Sequence, residues 1–126
     1  MLKLAAALCC ASLLLAAPAR AANEDGAIAL ENELTRLSEI LGALHYLRDL
    51  CGAKDGAKWR NDMQALLDSE AQTPARRAKL TASFNRGYRG FQQTYRTCTP
   101  SADLAVRRYL EEGARIAREI TARYTN

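Results

Sequence analysis

The stretch FNRGYRGFQQTYRTC, residues 84–98, sets Phe84, Tyr88, Phe91 and Tyr95 among Arg86, Arg89 and Arg96. Guanidinium forks bind phosphate and carboxylate oxygens, and aromatic faces stack on bases, so the mixture suits an RNA-binding strand. Such a strand presents its aromatics at a period of two, whereas these recur at three and four, the spacing of one helix face. At 100 degrees per residue the four aromatics fall within about 60 degrees of one another, and the three arginines lie together on the far side. Between them Ser83, Gly87, Gly90 and Thr94 form a strip of small residues on which a neighbouring helix is expected to approach closely. The aromatics are therefore expected in the core. Arg86, Arg89 and Arg96, with Arg107 and Arg108 close by in the chain, are the candidate contact surface for an acidic partner; no nucleic-acid partner is expected.

Other reactive groups are few. His45 is the only histidine, and Asp49 follows one helical turn later, a spacing that would let a carboxylate orient an imidazole as a general base. No serine or free cysteine is placed by the sequence as its nucleophile, and His45 lies about 60 degrees off a leucine stripe, which makes it a boundary residue. Use of His45 by a hydrolase is the remote alternative. Glu31, Glu33, Glu111 and Glu112 read as solvated helix faces. One histidine and two paired cysteines supply no transition-metal set, and there is no glycine-rich phosphate cradle, so no catalytic residue, metal or cofactor is expected, and no enzyme.

The cysteines follow from the start of the chain. MLKLAAALCCASLLLAAPARAANED carries Lys3, an apolar run from Leu4 to Ala17 and small residues at Ala19 and Ala21, the layout of a secretory signal peptide cleaved after Ala21. The run is shorter than the ~20 residues that span a bilayer, so no stable transmembrane anchor is expected after cleavage. Export to the periplasm removes Cys9 and Cys10 and leaves Cys51 and Cys98, an isolated pair expected to form one disulfide in an oxidising compartment. Removal of residues 1–21 also takes Lys3 and Arg20, leaving sixteen basic against fourteen acidic residues. A charge of +2 exerts no strong global pull on polyanions; the asymmetry is local, because residues 71–102 contain no acid while Arg76, Arg77, Lys79, Arg86, Arg89 and Arg96 all fall there.

Four helices are expected to position these groups in a single domain, residues 22–126. The first runs from about Asp25 to Leu50 on Leu30, Leu34, Leu37, Leu41 and Leu44, widened by Ile40 and Leu47, with Gly52 as its stop. A shorter one, about Ala57 to Ser69, carries Trp59, Met63, Leu66 and Leu67. Thr73-Pro74 and Thr99-Pro100 each place a capping hydroxyl before a proline at the first helical position, opening helices of about Pro74–Thr97 and Pro100–Arg123. The last is expected to bury Val106, Tyr109, Leu110, Ile120 and either Ile116 or Ala117. Short connections make successive helices antiparallel, and the fold expected is all-α: a compact up-and-down bundle of about four helices, stapled at one pole by the disulfide.

LSEILGALHYLRDLCG at residues 37–52, KWRNDMQALL at 58–67, and FNRGYRGFQQTYRTC with its downstream helix resemble a family of small exported alphaproteobacterial proteins known only as a domain of unknown function. The resemblance covers nearly all of the chain after residue 21. It implies a cell-envelope location, a Cys51–Cys98 bridge and a helical domain, and it carries over no catalytic residue. A looser likeness of layout alone links the chain to small periplasmic acid-stress chaperones. The leading expectation is a non-catalytic periplasmic module that binds an envelope protein or another acidic envelope component; a stress chaperone is the alternative.

Overall fold

The computed structural model describes residues 17–124, with side chains from residue 23 onward, and contains four helices: α1 (Ala17–Leu50), α2 (Gly56–Glu70), α3 (Pro74–Thr94) and α4 (Pro100–Arg123). Most of the expected signal peptide lies outside the described residues. The expected cleavage point, after Ala21, falls within the first turns of α1, which starts eight residues before the expected Asp25. The added segment, APARAANE, is alanine-rich and holds its proline in the first turn, where a missing N–H breaks no helical bond. No described helix is long and apolar enough to cross a membrane.

The helix ends follow the local chemistry. Gly52 has φ +86° and follows the end of α1; its N–H donates to the Asp49 carbonyl at 3.1 Å, and that of Ala53 donates to the Arg48 carbonyl at 2.9 Å, the paired bonds of a Schellman stop. Thr73 and Thr99 cap α3 and α4, accepting from the N–H groups of Arg76 and Ala102 at 3.2 and 3.1 Å. α3 ends at Thr94, three residues before the expected Thr97. Tyr95 is extended, and its carbonyl accepts a bond from the Tyr46 hydroxyl of α1. The chain then straightens into Thr99 ahead of Pro100, as a residue before proline prefers.

α1 is the hub. It packs against each of the other helices; α2 also meets α3, while the backbone of α4 approaches neither. Glu31 reaches Lys79 of α3, Gly42 faces Phe84 and Cys51 bonds Cys98, so α3 runs parallel to α1. Arg48 pairs with Asp55 just before α2, Glu33 with Arg123 and Arg36 with Glu112, so α2 and α4 run antiparallel to it. The up-and-down order is as expected, and Cys51 and Cys98 are joined with their Cα atoms 4.9 Å apart.

The closest contact is that of α1 with α3. A Cβ on Gly42 would lie 1.9 Å from the Phe84 carbonyl oxygen, and one on Gly87 would lie 2.0 Å from that of Glu39, so the backbones touch. Leu80, Ser83 and Gly87 are consequently the buried line of α3. The aromatics expected there are only partly buried, because rings cannot enter a backbone-to-backbone contact. They flank it instead: Tyr88 and Phe84 lean on His45, and Phe91 stands edge-on to Tyr109 of α4 with centroids 5.4 Å apart. On α4, Ile116 is buried and Ala117 is exposed, while Tyr109 and Leu110 are half-buried.

Candidate functional site

The acid-free segment splits into two groups. Arg76 and Lys79 reach Glu31 of α1 at 2.9 and 3.0 Å, and Arg77 reaches Asp68 of α2 at 3.5 Å. These three cations are neutralised by acids that other helices bring to them. Arg86, Arg89 and Arg96 are exposed and meet no acid among the described residues. The Arg86 guanidinium donates only to the Ser83 hydroxyl, at 3.1 Å. Arg86 and Arg89 border one shallow hollow of about 450 Å³ with Asn85 and Gln93, whose amides add further hydrogen-bonding groups.

The other candidates do not join them there. Arg96 lies in the connection after α3, so the helical spacing that grouped it with Arg86 and Arg89 no longer applies. Arg107 is tied to Asp103 at 2.9 Å on α4. Arg108 lines a separate cleft between α3 and α4, bounded by Phe91, Tyr95 and Tyr109 and holding the Arg36–Glu112 pair. Lys54, Arg60 and Arg118 are also without an acid among the described residues. What distinguishes Arg86 and Arg89 is their joint frontage on one hollow.

His45 is a boundary residue, as its offset from the leucine stripe implies. Its ring lies 5.9 Å from that of Phe84 and 5.5 Å from that of Tyr88, and Nδ1 is buried without a hydrogen-bond partner. The His45–Asp49 pair offered by the spacing is not formed.

Three of the four glutamates expected on solvated faces are ties between helices. Glu31 binds α3; Glu33 accepts from Arg123 at 2.9 and 3.2 Å; Glu112 accepts from Arg36 Nε and Nη2 at 2.7 and 2.9 Å, with the guanidinium also 5.3 Å from the Tyr109 ring centre. The Arg36 fork holds the Glu112 carboxyl below its ordinary range. Asp55 is lowered in the same way by Arg48, with a further bond from the Trp59 indole N–H. The partners of the three glutamates are too distant in sequence for spacing to pair them.

Sequence reasoning also missed a groove. α2 and α4 flank one side of α1 and leave between them an apolar furrow of about 750 Å³, bordered by Trp59 and Leu66 on one wall and Ala114 and Ala117 on the other. The available signal was the run of small residues on α4, Gly113, Ala114, Ala117 and Thr121, which leaves one wall low.

No curated protein and no solved structure matches the chain. Residues 29–124 match the family described as a protein of unknown function, DUF2385, and since that match covers most of its length, the protein belongs to this family.

Proposed function

We propose that the protein is a non-catalytic helical module of the cell envelope, exported by its N-terminal segment, that binds an acidic partner through Arg86 and Arg89 on the outer face of α3. One observation carries the reading: where the chain contains no acid of its own, the first three cations are neutralised by α1 and α2, while these two are left open around a shared hollow. Arginine is suited to this use because its planar fork grips a carboxylate through two donors and is always charged. Exposed surface arginines are also cheap to keep, since their exchange alters stability little.

The test is photo-crosslinking in cells from position 89, with position 80, fully buried in the parent, as control. A discrete protein adduct from position 89, absent from position 80 and lost when Arg86→Glu is added, is the expected result. Adducts that persist unchanged with Arg86→Glu, or background alone at position 89, would remove the arginine face from the proposal. The mass of the exported form, read in the same samples, checks cleavage after Ala21.

A further inference from the structure

The furrow between α2 and α4 is a second surface, unrelated in position and chemistry to the arginine face. Its floor is Leu37, Ile40, Leu41 and Leu44 of α1, each no more than 9% exposed. A furrow of about 750 Å³ that runs the length of α2 is too small in cross-section for a helix, ~10 Å across. A single hydrocarbon chain is thin enough. The α2 wall from Lys58 to Glu70 is roughly 18 Å long at 1.5 Å per residue. One acyl chain, half the ~30 Å hydrocarbon thickness of a bilayer, is about 15 Å long. The volume also lies within the range of small-ligand sites.

The two ends differ. At one, the Tyr124 hydroxyl donates to Glu70 at 2.8 Å, joining the end of α4 to the end of α2 and closing the furrow behind a carboxylate. At the other stands Lys58, above the Trp59 ring and bonded to Asp62 at 2.7 Å; both partners of this pair are about half exposed, so it holds the ammonium weakly. An occupant must therefore place its tail toward Tyr124 and its head at Lys58. We propose that the furrow binds a free long-chain fatty carboxylate, with the chain lying against Leu66, Ala114 and Ala117 and the carboxylate paired with Lys58.

Trp59 is the only tryptophan of the chain and lines the furrow, so its emission reports occupancy directly. The experiment titrates the full protein with dibromostearate below its micelle concentration and reads bromine quenching of Trp59. Saturable quenching is expected, with half-saturation raised at least tenfold by Ala117→Phe, which fills the furrow from an exposed position, and several-fold by Lys58→Gln. Ala114→Phe serves the same purpose on the same wall if Ala117→Phe fails to fold. The brominated alcohol of equal length should bind the parent more weakly than the acid, and Lys58→Gln should erase that difference. Quenching that is non-saturable, or unchanged by both furrow-filling variants, would overturn the proposal. So would recovery of the protein on vesicles in preference to free acid, or self-association lost in Ala117→Phe, which would assign the furrow to a membrane or to a second copy. None of these outcomes depends on Arg86 or Arg89.

Discussion

Individual charges divide by whether another helix answers them. Glu112 is answered from both sides of the Arg36 fork, and its carboxyl is held below the ordinary range chiefly by that hydrogen bond. The sign follows: a carboxylate with a depressed folded pKa stabilises the protein fully above its unfolded value, and the contribution disappears as pH falls through the folded value. Because the Arg36 side chain is 37% exposed, water screens the pair, and its worth is about 1 kcal/mol or less. Glu112→Gln should therefore lower the urea midpoint slightly at pH 7, and the two proteins should converge as pH falls below the ordinary glutamate value of about 4.3. Parallel curves across that fall in pH would mean that the α1–α4 tie does not titrate and that acid acts elsewhere. The same measurement bears on the chaperone alternative, which needs these carboxylate ties to loosen in acid.

Glycines separate the element that packs from the element that faces water. Gly87 and Gly90 sit three residues apart on α3, yet a Cβ on Gly87 would strike the Glu39 carbonyl oxygen at 2.0 Å, while one on Gly90 would meet nothing within 4 Å. Gly87→Ala should cost about 1–3 kcal/mol in urea unfolding, because opening a backbone contact outweighs the gain in helix propensity. Gly90→Ala should be neutral or stabilise by up to ~1 kcal/mol. Changes of the same sign and size would show that α3 does not rest on α1 at Gly87. Periodicity had identified both glycines as one strip, and here lies the boundary of what the sequence discloses. Helix number, the Thr-Pro starts and the leucine face of α1 were legible because each depends on residues within one or two turns. That Ser38, Gly42 and Ala43 are also buried was not, because α1 is surrounded by three helices and a one-face reading leaves its other sides to water. The aromatic face of α3 was displaced for the same reason: the nearest approach selected the smallest residues. Of the candidate site, Arg86 and Arg89 survive as a pair because they lie within one helix, whereas Arg96 lost its place when α3 ended early.

At the scale of the whole molecule, one covalent bond compensates for a core that is thin on one side. The backbones of α3 and α4 do not meet, and between them the core is bridged by the Phe91–Tyr109 contact. The Cys51–Cys98 bond fixes the far end of α3 to the end of α1, and α4 begins two residues after Cys98, so the bond also sets where α4 departs. Closing a loop with a separation of 47 residues removes about 4 kcal/mol of unfolded-chain entropy. Against the ~5–15 kcal/mol typical of a small domain, that is a substantial fraction of the whole. Reduction, or the double substitution Cys51→Ser with Cys98→Ser, should leave helix content in plain buffer nearly unchanged, since the α1–α3 backbone contacts at Gly42 and Gly87 and the caps do not involve sulfur. The urea midpoint should fall by an amount equivalent to about 4 kcal/mol, and the slope of unfolding free energy against urea should steepen, because the unlinked chain exposes more surface when it unfolds. A lower midpoint with an unchanged slope would place the bond's contribution in the folded bundle instead, as a clamp on the departure of α4.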